Sequence, residues 1–411
     1  MIPIGLIILT VIIINFFLIL ADIYLYKKFK KLAVDRFLVK LYFWSIPIFA
    51  IWLIINSIVR WSTPVPSKFA IFSNYFLTFW YLPKFLIFLV VLIVSIIRKV
   101  FKRKEASIDN KFSAPVDSGR RKVISALVWS AVGLPYFTLA RETFKTTLNP
   151  KVFFVEIPIA NLPPAFKNLN FVQISDIHSG SHPSKTFFAN VVEIINALHP
   201  DLVFITGDFV NFSPKEIEVI SESLSNIKAK YGVLACPGNH EHYMKQTEFE
   251  LLVRLIRECN VDLLINENRI FNINGTKLQI AGVDNTSHRM NYADFDKALF
   301  GLDLDLPVIL LCHDPTNWDK HIRRRRKVDL TLAGHTHGGQ IAIDIFKSKI
   351  SPAAFFYKQY AGLYSDGNQH LYVNTGIGWV GVPVRAGLPP EITQFRLVEV
   401  EKFAEQNIIV R

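Results

Sequence analysis

Aspartate and histidine recur in the second half of this 411-residue sequence wherever a run of apolar residues gives way to polar ones. Asp176-Ile177-His178 follows one such run, Gly207-Asp208 a second, and Gly238-Asn239-His240-Glu241 a third. His313-Asp314 and Gly334-His335-Thr336-His337-Gly338-Gly339-Gln340 follow two more. Imidazole, carboxylate and amide oxygen without a thiolate suit manganese, iron or zinc, and disfavour a structural zinc site of the cysteine type. In Asp-x-His and His-x-His, alternate residues of an extended backbone point to one side, so each pair can face one cavity. The glycines next to Asp208, Asn239 and His335 permit sharp turns where a strand ends. A Gly-Asp pair alone says nothing, and one histidine after a strand is more often a satisfied core side chain. Five such motifs in order point to metal chemistry.

The elements that must position these groups are legible as well. Apolar runs of strand length lie at 171–175, 202–206, 232–236, 278–282, 308–312 and 330–333. Amphipathic stretches at 186–198, 215–227 and 247–258 separate several of them. Such alternation predicts an α/β fold, in which functional residues gather at the carboxyl ends of the strands.

Taken together, the Asp-x-His, Gly-Asp, Gly-Asn-His-Glu, His and Gly-His-Thr-His motifs resemble the calcineurin-like metallophosphoesterase superfamily, in order and spacing, over residues 153–397. Gly-His-Thr-His-Gly-Gly-Gln and the tail from Asn374-Thr375-Gly376 through Arg385 to Pro390-Glu391 resemble a narrower group, bacterial phosphoesterases joined to membrane segments. The resemblance implies a four-layer α-β-β-α sandwich that hydrolyses phosphoric esters with two metal ions. It implies that Asp176, His178 and His337 bind one ion (Mn, Fe or Zn), that Asn239, His313 and His335 bind the other, and that Asp208 bridges them. Two cations ~3.5–4 Å apart would clamp phosphoryl oxygens and acidify a water. His240, free of metal, is expected to protonate the leaving oxygen or stabilise its charge. Glu241 and Asp314 are candidates for fixing imidazole tautomers, and Arg385 for meeting a phosphate as a bidentate fork. Asn211 stands where relatives often carry an acid. His182 and His242, beside the motifs, are expected to face solvent.

The first half of the chain has a different character. Overall the sequence is 51% hydrophobic yet carries a formal charge of +12. Residues 1–145 hold 20 of the 46 lysines and arginines, 6 of the 34 acids and none of the 11 histidines. The basic surplus therefore belongs to an apolar half and the chemistry to a near-neutral one, a division that excludes a uniformly basic nucleic-acid binder. The uncharged run 2–21 is long enough to cross ~30 Å of hydrocarbon as a helix. Further apolar runs at 41–59, 76–97 and 123–139 predict an all-α transmembrane region of about four helices over 1–145, followed by a catalytic domain over 146–411. Any one run could be a buried core helix, but four leave almost no polar surface to pack against. Pro83 and Lys84 interrupt the third run, with Lys84 expected to reach an interface.

Loop charge sets the orientation. Six lysines and arginines lie between the first two runs and nine between 98 and 122, against only Arg60 and Lys68 between the second and third. Short positive loops stay in the cytoplasm, so a multi-pass cell-membrane protein with an extracytoplasmic catalytic domain is expected. Run 2–21 lacks the basic start and small-residue cleavage site of a signal peptide. Arg120-Arg121 reads as part of a positive loop. Cys236, Cys259 and Cys312 have no paired spacing, and no disulfide is expected. The five consecutive cations 323–327 read as a solvated face. Phe355, Phe356, Tyr357 and Tyr360 read as core aromatics, or else as an apolar lip for a lipid-like substrate. The substrate is then a phosphoester: a lipid or lipid-linked phosphate, which tethering suits, or a soluble phosphodiester or nucleotide. A nuclease is disfavoured by the neutral catalytic half. An inactive receptor or scaffold is disfavoured by the complete ligand set.

Overall fold

The computed structural model describes residues 4–31, 36–62, 68–102, 141, 146–182, 184–287, 290–345, 348–381 and 384–400. They divide into two compact units, Ile2–Arg141 and the remainder from Glu142–Arg411.

The first unit contains helices α1 (Ile4–Lys31), α2 (Arg36–Ser62) and α3 (Lys68–Lys102). Among the described residues, Val39–Ser57 in α2 is the one helical segment both long and apolar enough to cross a membrane. The run 123–139 lies outside the described residues. Helix α3 continues through Pro83 rather than stopping there. Its Lys84 does not extend to an interface as the sequence suggested. The Lys84 ammonium lies 2.9 Å from Asp22 of α1, with the two side chains only 8% and 2% exposed. It also sits 4.3 Å from the centroid of the Trp80 ring. The Tyr42 hydroxyl of α2 donates to the same carboxylate at 2.7 Å. A lone ammonium in an apolar bundle costs several kcal/mol, whereas a paired and hydrogen-bonded one is tolerated. Asp22, 62 residues away in sequence, supplies the pairing.

The second unit is built on two mixed sheets. Its strands are β1 (Lys151–Ile159), β2 (Asn170–Ile174), β3 (Leu202–Thr206), β4 (Val233–Cys236), β5 (Val261–Leu263), β6 (Glu267–Ile273), β7 (Thr276–Gly282), β8 (Val308–Leu311), β9 (Leu330–Ala333), β10 (Ile343–Ile345), β11 (Ser348–Ile350), β12 (Gly362–Asp366), β13 (Gln369–Val373) and β14 (Glu391–Glu399). One sheet runs β1-β14-β2-β3-β4-β5 and the other β12-β13-β9-β8-β7-β6, with β10 and β11 forming a separate hairpin. Strands β2 to β5 pair parallel, as do β7, β8, β9 and β13, and the antiparallel pairings come at β14 with β2, β6 with β7, and β12 with β13. Phe171, Phe204 and Phe395 of the first sheet share one core with Ile280, Leu311 and Leu332 of the second, so the two sheets face each other. A second cluster, including Leu310, Trp318, Ile322 and Phe295, covers the other face of the second sheet.

Helices α4 (Lys185–Ala197) and α6 (Gln246–Glu258) form where the amphipathic stretches lie, and their buried faces carry Phe188, Val191 and Ile195, and Leu252 and Ile256. The stretch 215–227 instead makes a 3₁₀ turn, Pro214–Val219, and the short helix α5 (Ser221–Ser225). Pro214 can open a turn, having no N–H to leave unpaired there. Helix α7 (Phe295–Leu299) lies between β7 and β8 in the chain. Cys236, Cys259 and Cys312 are buried free thiols.

Candidate metal centre

Strands β2, β3, β4, β8 and β9 are followed at their carboxyl ends by the candidate ligands. The backbone there is unusual. Asp176 (φ 50°), His178 (46°), Asp208 (57°), His335 (72°) and His337 (50°) all adopt the left-handed conformation. Each such non-glycine residue costs ~1–3 kcal/mol and persists only where its surroundings over-determine it. The surroundings are specific. Asp176 N–H donates to the Gly207 carbonyl and His178 N–H to that of Asp208, both at 3.0 Å. The Glu241 carboxylate accepts from the N–H groups of Asp208 (2.9 Å), Phe209 (2.8 Å) and Gly238 (2.7 Å), joining the ends of β3 and β4. A Cβ at Gly238 would collide with the Asp208 carboxylate, and one at Gly334 with that of Asp176.

Two groups of ligand atoms result. In the first, His337 Nε2 lies 3.1 Å from His178 Nε2 and 3.3 Å from Asp176 Oδ1. In the second, His313 Nε2 lies 3.2 Å from Asp208 Oδ2 and 3.3 Å from His335 Nδ1. The same Asp208 oxygen is 3.6 Å from His178 Nε2, so it stands between the groups. Asn239 is buried with no hydrogen-bond partner for its side-chain oxygen, while its amide N–H donates to the Tyr243 hydroxyl at 2.8 Å. A buried acceptor with no donor, Asn239 Oδ1, beside imidazole nitrogens that face one another is costly unless a cation lies among them. The donor set therefore fits two metal ions.

Electrostatics agree with that fit. Burial pushes His178 and His337 well below the usual imidazole range, leaving lone pairs available. Burial would raise Asp208 too, but His313 and His240 hold its carboxyl well below the carboxylate range. Burial, with Asp208 nearby, lifts Asp176 to about 6. Burial works to lower His313, yet the Asp208 carboxylate beside it carries it up to about 10. In the metal-free chain, a proton on His313 thus occupies charge space that a cation would take.

His240 donates its Nδ1–H to the Asn211 carbonyl at 2.7 Å. Its ring meets His178 edge-on, centroids 4.6 Å apart, and it groups with His178 and Asp208 at the cluster. Asn211 acts here through its backbone, and its side chain joins Ser181 and Glu216.

Several expectations need correction. Glu241 binds backbone N–H groups and not imidazoles, as described, and Asp314 accepts from Thr316 N–H at 2.9 Å. His182 is buried, with Nε2–H donating to the Ile177 carbonyl at 2.7 Å, and burial brings it down to about 4. His242 is not solvent-facing: its Nε2 lies 2.6 Å from Asp284, and its ring stacks on Phe249 and Tyr292. Arg385 is fully buried and donates to the carbonyls of Thr375 and Gly378 rather than presenting a fork to a phosphate. The cations 323–327 are, as expected, a solvated face: Arg324, Arg325 and Lys327 are exposed, just ahead of the amino end of β9 and away from the ligand-bearing end. Arg323 pairs with Asp319, Arg324 with Asp366 and Arg326 with Asp296. Phe355 and Phe356 are 84% and 82% exposed, so they are not core.

Sequence reasoning missed two tyrosines. Tyr243 orients Asn239 and lies one turn beyond it, a spacing that could have been noticed. The Tyr357 hydroxyl lies 3.2 Å from His335 Nε2, which leaves Nδ1 facing His313. No local pattern marks it. Glu216, accepting from the N–H groups of Gly180, Asn211 and Phe212, was also missed.

The family model for calcineurin-like phosphoesterases matches residues 169–339, which contain every candidate ligand. The metallophosphoesterase YkuE of Bacillus subtilis is 31% identical over 241 residues, 57% of this chain and 81% of that one. The chain belongs to the calcineurin-like metallophosphoesterases. A bovine transmembrane protein with a metallophosphoesterase domain is 34% identical over 266 residues, covering 60% of this chain. The match spans 57% of the bovine protein, less than two-thirds of its length. The Escherichia coli phosphodiesterase YaeI is 25% identical over 227 residues, 55% of this metallophosphoesterase and 80% of YaeI.

Proposed function

We propose that this protein is a membrane-anchored hydrolase of phosphoric esters, with Asp176, His178 and His337 holding one metal ion, Asn239, His313 and His335 the other, and Asp208 shared. The observation that carries the reading is the convergence of the two ligand groups on Asp208, on a backbone held in five left-handed turns. Two bound cations supply Lewis acidity and an acidified water. The chain's own residues do the rest. Glu241 fixes the backbone that carries the shared carboxylate, and His240 N–H donates to its Oδ1 at 2.9 Å. Tyr243 and Tyr357 fix the amide and imidazole of the second group. His240, its Nδ1–H tied to Asn211, keeps the other nitrogen free to hold a proton for the leaving oxygen.

A lipid or lipid-linked phosphate is the substrate class that a tethered enzyme serves best, because the anchor raises its local concentration. The test uses the full chain in detergent-free bilayers, supplemented with Mn, Fe or Zn. One phosphodiester headgroup is compared on short and long acyl chains, below their micelle thresholds. Metal-dependent hydrolysis is expected, with kcat/KM rising with chain length, since each buried CH₂ contributes ~0.8 kcal/mol. Equal kcat/KM across chain length would refute the lipid substrate, and no hydrolysis with any metal would refute the enzyme.

The anchor is proposed as four spans near 2–21, 41–59, 76–97 and 123–139, with the catalytic unit outside the cytoplasm. The loop charges support it. A reporter enzyme that works only outside the cytoplasm, fused after Arg411, is expected to be active. Activity of a cytoplasm-only reporter at the same point would reverse the topology.

A further inference from the structure

The β10–β11 hairpin returns into a turn, Pro352–Phe355, that is fastened to the metal motif on both sides. On one side Ser351 Oγ donates to the Gly338 carbonyl while accepting from Ala353 N–H at 3.1 Å. On the other, Tyr357 meets His335 at 3.2 Å, and Thr336 Oγ1 donates to the Tyr360 carbonyl at 2.6 Å. Between these fixed points Phe355 and Phe356 stand 84% and 82% exposed, with Ile350 at 49%. A loosely held loop could fold two phenylalanines inward. This one is held by four hydrogen bonds and still presents them to the surroundings, so their exposure is a built feature.

Lys358, two residues beyond Phe356, is exposed as well and puts a cation beside the two rings. Phenylalanine flanked by lysine matches a surface that is apolar inside and anionic at its rim, which is the interface of a phospholipid bilayer. A soluble acidic partner would answer the lysine but not the two rings. The bilayer is already at hand, because the same chain carries a helix fit to cross one. We propose that Phe355 and Phe356, with Lys358, insert into the interfacial layer of an anionic bilayer and hold the metal centre at its surface. This rests on the membrane reading above and not on the hydrolysis reading.

The experiment places a cysteine at exposed Ala354 in the full chain and labels it with an environment-sensitive fluorophore. Native cysteines are buried and do not compete. The protein is reconstituted in nanodiscs of phosphatidylcholine with or without phosphatidylglycerol, carrying nitroxide-labelled acyl chains, with EDTA present so that no lipid is hydrolysed. Emission is expected to shift to shorter wavelength and to be quenched by the nitroxides, most with phosphatidylglycerol. Both effects should be lost in Phe355→Ser/Phe356→Ser, and Lys358→Glu should lose the phosphatidylglycerol increment alone. Water-like emission in the reconstituted parent would overturn the proposal. So would a shift that appears only when metal is restored, which would tie the turn to substrate engaged at the metal centre. A shift in lipid-free amphipol that grows with protein concentration would instead assign the turn to a second copy. A chain that fails to enter nanodiscs at all would refute the membrane reading, a result separate from these.

Discussion

Asp208→Asn is expected to abolish hydrolysis and to release both metal ions, because one carboxylate oxygen faces both ligand groups, 3.2 Å from His313 and 3.6 Å from His178. The amide that replaces it is neutral and offers one acceptor atom, so the second ion loses its one carboxylate and the first keeps only Asp176. His335→Ala removes a single ligand of the second group and should empty that position first. His240→Ala should behave otherwise. Its Nδ1–H is held by the Asn211 carbonyl, so it is oriented without metal, and its loss should leave both ions bound while the rate falls ~10²–10⁴-fold. Metal content measured beside kcat separates the cases. The geometry also places His240 within ligating reach of His178 and Asp208. Metal loss in His240→Ala equal to that in His335→Ala would therefore make it a ligand and remove it as the proton donor.

The candidate ligands could be found in the sequence because their chemistry is carried by residue type and their placement by strand ends. Apolar runs locate the ends, and only a few side chains bind metals. The supporting groups obey no such rule. Arg385 and Glu241 act on backbone carbonyls and N–H groups, which every residue has, so nothing in the sequence announces their partners. Tyr357 reaches His335 only because the hairpin folds back over 22 residues. Lys84 was visible as an interruption, but Asp22, which neutralises it, lies on another helix. Of the two readings open for Phe355 and Phe356, the core one fails because apolar residues are usually but not always buried, and a fixed exposed turn is the exception to that rule.

Arg385 offers the other large effect, and it separates a buried support from a substrate contact. The side chain is wholly buried, and burial lowers it only to about 10, so it remains charged at neutral pH. It donates to the Gly378 carbonyl through Nε at 2.9 Å and to that of Thr375 at 2.8 Å. The strand of chain it braces is coupled to the metal site. Ile377 and Gly378 N–H groups donate to the carbonyls of Ser175 and Asp176, both at 2.8 Å, at the point where Asp176 turns into its left-handed conformation. Arg385→Ala leaves buried carbonyls without donors, at ~1–3 kcal/mol each, so a loss of about 3 kcal/mol or more in stability is expected. Arg385→Lys keeps the charge but cannot reproduce the fork, and should lose part of that stability. Because the brace acts through Asp176, metal affinity should fall ~10–100-fold in Arg385→Lys, as for other groups that orient ligands. At saturating metal, KM should stay at the parent's value. A raised KM with unchanged melting temperature and metal affinity would instead return Arg385 to the role of phosphate fork, and would require the 375–388 segment to open when substrate binds.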